Sequence, residues 1–265
     1  MKHLFLLFLL QLSIVFSQKT TAQSPYQFEL KKELTFFGTG ALLNGLALYL
    51  ETQTSPLTLN EIANLDPNNV NDFDRFATKK KSAAANTVSD YLWLSSFGGQ
   101  VLLLATKKGH KHFGDIAVLY LQANLINGGL TAFSKFSFRR VRPLIYNEDI
   151  DIVEKEGKSG KLSFFSGHTS ATATNTFFTA KIFSDLYPDS KWKPLVWMVA
   201  AAIPAATGLM RVQAGKHFPT DVIVGYVVGA GIGWLVPHLH RKKQFKEKGL
   251  SFYGGLNGMK VQLRF

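Results

Sequence analysis

RVQAGKHFPTDVIVGYVVGAGIGWLVP, residues 211–237, places Arg211, Lys216, His217 and Asp221 immediately before a long apolar run. Pro219 suits the first turn of a helix, where its missing N–H leaves no bond unmade, so His217 precedes that helix and Asp221 stands in its first turn. Gly225, Gly229 and Gly233 recur every fourth residue, a spacing that lets a neighbouring helix approach closely, as in membrane bundles. The stretch therefore reads as an apolar helix with a polar, ionisable head.

Five further apolar segments have helical length: 34–50, 87–106, 114–134, 169–187 and 194–209, with 219–237 making six. Most approach the length that crosses a bilayer. Against full immersion stand a mean hydropathy of +0.04 and Asp90, Asp115, Gln122, Asn124, Asn175, Lys181 and Asp185 inside the segments. No alternating strand pattern competes until the tail GMKVQLRF, where Val261, Leu263 and Phe265 alternate with polar neighbours and predict one short strand. The fold expected is all-α, a bundle of about six helices embedded in or associated with a membrane. Its organisation is a leader over 1–23, one helical domain over 24–248 and a tail over 249–265.

Residues 1–23 have the form of a secretory signal, with a basic start, an apolar run from Leu4 to Phe16 and then small residues; cleavage after Ser17 or Ala22 fits. The absence of cysteine agrees with export and removes cysteine phosphatases, thiol proteases and Cys-ligated zinc from consideration. The net charge of +12 comes from short clusters at 79–81, 107–111, 139–142 and 241–248, set between apolar segments. For an exported chain the matching partner is an anionic lipid or a phosphorylated substrate, not nucleic acid.

Three polar islands, each at the end of an apolar segment, carry the candidate chemistry: KFSFRRVRP at 135–143, SGH at 166–168 and RVQAGKHFPTD at 211–221. A carboxylate at Asp221 can hold one ring N–H of His217 and leave the other nitrogen unprotonated as a nucleophile. Gly167, opening a helix, allows free backbone N–H groups to point at an anion. Lys135, Arg142 and Arg211 supply cationic contacts to phosphoryl oxygens, and His168 is available as an acid. Taken singly, each island has a plainer reading: a positive flank to a membrane helix, a helix cap, or a histidine at a helix start. GKSGKLS at 157–163 lacks P-loop spacing and DPNNVND at 66–72 lacks the glycine and final Glu of a calcium loop; both read as solvated loop. HKH at 110–112 and HLH at 238–240 read as exposed basic segments in preference to metal ligands.

Together the islands resemble the three-part signature of the type 2 phosphatidic acid phosphatase (PAP2) and vanadium haloperoxidase superfamily, KxxxxxxRP, PSGH and SRxxxxxHxxxD. Lys135, Arg142 and Pro143 match the first part. Ser166, Gly167 and His168 match the second, with Phe165 in place of Pro, and Arg211, His217 and Asp221 match the third, with Met210 in place of Ser. The resemblance implies a metal-independent phosphatase, with no cofactor, working through a phosphohistidine. His217 would attack phosphorus, Asp221 would orient it and His168 would protonate the leaving oxygen. Lys135, Arg142, Ser166, the Gly167 backbone and Arg211 would hold the phosphate. The partners implied are a membrane and a phosphorylated lipid, such as a polyprenyl diphosphate, phosphatidylglycerophosphate, phosphatidic acid or lipid A. A soluble exported acid phosphatase, a vanadate-dependent haloperoxidase and an inactive lipid-binding protein are the alternatives. The expected place is the bacterial cell envelope, with the site facing the periplasm. One conflict accompanies this: the basic clusters at 107–111 and 241–248 favour a cytoplasmic end opposite the islands, whereas a cleaved leader followed by six full spans reverses the orientation. An incomplete span at 34–50, or peripheral attachment of the bundle, would remove it.

Overall fold

The computed structural model describes residues 24–151, 155 and 157–242, and the backbone of 249–255 and 258–264; the leader expected over 1–23 lies outside the described residues. Among the described residues seven helices of seven or more residues build the domain: α1 (Leu30–Thr52), α2 (Ala83–Ser95), α3 (Gly98–Leu104), α4 (Phe113–Phe138), α5 (Gly167–Leu186), α6 (Lys193–Gln213) and α7 (Pro219–His240). Five of the six expected segments form single helices. The sixth, 87–106, is broken in two, because the hydroxyls of Ser95 and Ser96 bond back to the Leu92 and Trp93 carbonyls and two glycines follow. The strand expected in the tail is present as β2 (Gly258–Arg264), and it has an unforeseen antiparallel partner, β1 (Gly249–Gly255).

The glycine face of α7 does what its spacing implied. A Cβ on Gly225, Gly229 or Gly233 would lie 2.7, 2.1 or 2.4 Å from the carbonyl oxygens of Ser166, Ser170 and Thr174. Helices α5 and α7 therefore run parallel, backbone against backbone, and their N-termini arrive side by side. The register is closed at that end by a bond from the Ser166 N–H to the Asp221 carbonyl, at 3.0 Å. Helix α6 runs antiparallel to both, with Thr176 bonding the Ala200 carbonyl and Tyr226 the Ala201 carbonyl. Helix α4 ends in a left-handed residue, Arg139 (φ 47°), whose N–H bonds the Lys135 carbonyl, and this reversal turns 140–143 back across the same end of the bundle.

The opposite end is the base. Chain ends meet there: Gln27 N–H bonds the His240 carbonyl and Lys242 N–H bonds the Pro25 carbonyl. Lys108 reaches the C-terminal Leu186 carbonyl of α5, so the basic cluster at 107–111 and Arg241–Lys242 share the end away from the islands. Two expectations change here. His240 is fully buried, between the Glu33 carboxylate (3.2 Å) and the Val236 carbonyl (2.7 Å), and His112 is also buried. These two histidines are not exposed, because α1 and α4 pack over this end, whereas His110 and Lys111 are exposed as expected. Apolar packing fills the middle, with Leu119, Ala123, Phe178 and Ile182 at its centre.

Among the described residues three helices are long and apolar enough to cross a membrane: α4 with the turn that follows it, α6 and α7. Large apolar side chains remain exposed along the bundle flank, including Leu42 and Leu48 of α1, Leu102 of α3, Met198 and Leu209 of α6 and Val227 of α7. Such a surface suits lipid better than water.

Candidate active site

His217 is 1 % exposed and is held by its backbone neighbourhood rather than by direct pairing with Asp221. Its Nδ1 lies 2.7 Å from the Ser163 carbonyl, whereas Asp221 Oδ2 is 3.7 Å away. The Asp221 carboxylate instead accepts from Ser163 Oγ at 2.5 Å, the Phe218 N–H at 2.9 Å and Arg140 Nη1 at 2.6 Å. The expected direct Asp221–His217 bond is thus replaced by a relay through Ser163. The reason is local: in the first turn of α7 the carboxylate folds back onto the free Phe218 amide as a cap, which draws it off the ring. With Nδ1–H given to a carbonyl, Nε2 carries the lone pair. Burial first, and then the facing charges of Arg142, Lys135 and Arg211, hold His217 well below the usual imidazole range, so it is neutral at ordinary pH.

His168 is the second residue of α5. Its Nε2 lies 2.9 Å from Asp90 Oδ1 on α2, and its ring packs 5.3 Å from that of Trp93. Burial, and next the Arg211 guanidinium, push its pKa down to about 4 against the opposing pull of Asp90. Arg211 is clamped by Asn86 Oδ1 (2.9 Å) and Ser89 Oγ (3.2 Å), also on α2, while its buried Nε–H meets no acceptor among the described residues. Arg142 bonds the carbonyls of Ser159 (2.7 Å) and Lys216 (3.0 Å), and Lys135 bonds that of Leu162 (2.7 Å). A Cβ on Gly167 would come within 3.7 Å of Lys135 Cε, so the α5 N-terminus and the lysine adjoin. The Gly167 and His168 amides occupy the first two positions of that helix, where no intrahelical acceptor exists. Ser166 departs from expectation: fully buried, its Oγ is 2.9 Å from Thr169 Oγ1 and caps α5, so its hydroxyl faces the helix and not the cavity.

A polar cavity of about 290 Å³ opens here, lined by Asn86, Asp90, Arg142, His168, Arg211 and Lys216 together with Ser159 and Gly160. The structure therefore gathers both histidines and the three cations Lys135, Arg142 and Arg211 at one end of the bundle. It also adds residues the islands did not contain. Asp90, Asn86 and Ser89 were visible only as polar positions in an apolar helix, although their spacing of three and four already marked one face. Ser163 and Gly160 belong to the glycine-rich stretch read as solvated loop; Ser163 is fully buried against Asp221. No group of three or more His, Cys, Asp or Glu among the described residues is placed to hold a metal ion.

Comparison with known proteins adds four observations. The chain is 33% identical over 108 residues to the lipid A 4'-phosphatase of Porphyromonas gingivalis, covering 40% of this chain and 42% of that protein. It is 35% identical over 91 residues to phosphatidylglycerophosphatase B of Bacillus subtilis, covering 32% and 43%. The matches thus span less than half the length of these relatives. A solved structure described as the first transmembrane PAP2 type phosphatidylglycerolphosphate phosphatase, from Bacillus subtilis, aligns over 79% of this chain and 96% of its own at 22% identity, with a TM-score of 0.42. The family model described as PAP2 superfamily matches residues 116–245. That segment contains all three islands, the two histidines and helices α5 to α7, and residues 116–245 of this chain belong to the PAP2 superfamily.

Proposed function

We propose that this protein is a membrane phosphatase that removes phosphate from a phosphorylated lipid through a histidine-bound intermediate. The observation that carries the reading is that Arg142, His168 and Arg211, from three separate sequence segments, line one polar cavity at the end of a bundle with an apolar flank, with Lys135 and the buried His217 beside them. The relatives named for lipid A and phosphatidylglycerophosphate support a phosphorylated membrane lipid as substrate class.

The chemistry follows from the groups present. Lys135, Arg142 and Arg211 bind the phosphoryl oxygens and offset the charge that builds on them. The Nε2 lone pair of His217 forms a bond to phosphorus as the bond from phosphorus to the lipid oxygen breaks, and a proton from His168 goes to that oxygen. Asp90 holds the His168 ring until the leaving group takes its proton. Water then attacks the phosphohistidine, His168 accepts the water's proton, and inorganic phosphate leaves with His217 restored. The α5 N-terminus, through the Gly167 and His168 amides, adds to anion binding. The site faces the periplasm in this reading, with the basic base in the cytoplasm.

The test is phosphate release from a panel of lipid phosphates and small phosphomonoesters by the purified protein in mild detergent. We expect release from at least one lipid phosphate, undiminished by EDTA and inhibited by vanadate, which adopts the five-coordinate geometry of the transferring phosphoryl group. Loss of activity in EDTA with recovery on added zinc or magnesium would overturn the mechanism. Turnover confined to small, water-soluble esters would overturn the substrate class.

A further inference from the structure

We infer that Arg140, which lies outside the three-part signature, is a positioning residue for His217, acting through Asp221 and Ser163 and not through the phosphate. This rests on the reading of His217 as nucleophile. Its guanidinium bridges two fully buried carboxylates, donating Nη1 to Asp221 Oδ1 at 2.6 Å and Nη2 to Asp74 Oδ2 at 2.7 Å. Nη1 also reaches Thr220 Oγ1 at 2.8 Å, and the cation stacks 4.1 Å over the Phe218 ring. Three of its partners, Phe218, Thr220 and Asp221, are thus within four residues of His217.

The backbone of Arg140 closes the circuit. Its carbonyl accepts the Ser163 N–H at 2.9 Å, while the Ser163 hydroxyl donates to Asp221 and the Ser163 carbonyl accepts from His217 Nδ1. One residue therefore holds both strands between which the imidazole is clamped. On the far side Asp74 is itself fastened by Thr220, through N–H (3.0 Å) and Oγ1 (2.6 Å), and by Asn71 Nδ2 (2.9 Å). Burial alone would raise the Asp74 pKa, but the bonds from Arg140, Thr220 and Asn71 hold it below the usual carboxylate range, so Asp74 is a charged partner of the Arg140 cation. Arg142, two residues on, lines the cavity and Arg140 does not. Two arginines of one island are thus divided, one toward substrate and one toward the nucleophile's support.

The consequence is a separation of kinetic constants. A support that sets the attack geometry changes turnover without changing phosphate affinity, and a misplacement of about 1 Å can cost on the order of a hundredfold in rate. We expect Arg140→Gln to lower kcat on a lipid phosphate by on the order of a hundredfold, with KM and the inhibition constant of the product inorganic phosphate held within about twofold while vanadate inhibition weakens along with turnover. Arg140→Lys, which keeps a cation for the buried carboxylates but loses the fork, provides a second variant should the first not fold, and Asp74→Asn a third; each should show the same split, less deeply. Thermal melting accompanies each measurement. A parallel rise in KM and in the inorganic phosphate inhibition constant with kcat preserved would make Arg140 a phosphate ligand and overturn the inference. So would unchanged kcat per folded protein with only a lower melting temperature, which would make the residue purely structural. Wild-type turnover on the same substrate is the reference: its absence refutes the phosphatase reading, whereas its presence beside unimpaired variants refutes only this inference.

Discussion

His168 combines the roles of ring partner to Asp90 and neighbour to Arg211, and its titration follows from that pairing. A proton donor must be protonated, and in the free protein the pKa of about 4 leaves it mostly neutral at pH 7. A bound phosphate offsets the Arg211 charge that lowers it, so the pKa rises in the complex. Since kcat/KM reports the free protein and kcat the complex, activity in kcat/KM should fall off with rising pH earlier than activity in kcat. Asp90→Asn removes the group that raises the pKa and should move the basic limb of kcat to lower pH; an unmoved limb would show that the donor is another group. Leaving-group chemistry gives an independent check. An alkoxide from a monoester needs a proton more than a phosphate leaving from a diphosphate, so His168→Ala should cost about 100-fold or more on a lipid monoester and far less on a diphosphate or an aryl phosphate. Equal losses on all three would assign His168 to binding. The two histidines and three cations were legible in the sequence as residues. Their supports, Asp90, Ser163 and Asn86, were not, because a hydrogen-bond partner 54 to 125 positions away leaves no trace in local pattern.

Helix α7 shows how an element can be specified by what it lacks. Gly229 has the Ser170 carbonyl 2.1 Å from where a Cβ would stand, and backbone cannot move aside as a side chain can. Gly231, two residues on, would place a Cβ in open space. The pair makes a controlled comparison: Gly231→Ala should leave stability unchanged or raise it by up to about 1 kcal/mol through helix propensity. Gly229→Ala should lower it by about 1–3 kcal/mol as the two helices are forced apart. Because the same contact aligns the N-termini of α5 and α7, Gly229→Ala should also reduce phosphatase activity at temperatures where the protein remains folded. Thermal melting in detergent and specific activity read both effects, and equal behaviour of the two variants would show that the close approach carries no weight. The four-residue glycine period was readable as a helix contact face, but the partner helix was not; any apolar segment of the chain satisfied the pattern.

At the scale of the molecule, the described basic residues 107–111 and 241–242 lie at the end of the bundle opposite the cavity. That separation gives the orientation proposed above a direct test, since the chain contains no cysteine and single introduced thiols report without background. Lys158→Cys, near the cavity, should react with a membrane-impermeant maleimide in cells whose outer membrane has been opened, and Lys107→Cys should react only after the inner membrane is disrupted. The reverse pattern would put the site in the cytoplasm. The incomplete span suggested for 34–50 takes a different form in the structure: α1 is a continuous helix of 23 residues beside α4, yet it is not among the three apolar enough to cross by composition.

What the sequence determined by itself was everything that depends on near neighbours along the chain. Apolar runs of helical length, Pro219 opening α7, the glycine face and the three spaced islands all express periodicity, capping and short-range spacing, and these operate within a few turns of backbone. The tertiary structure alone decided which of those features meet. It turned Asp221 from the direct partner of His217 into the holder of Ser163 and joined Arg140 to Asp74 across 66 positions of chain. In each case the deciding contact is a short bond or a close approach between groups that only packing brings together, and its geometry depends on every helix in the bundle.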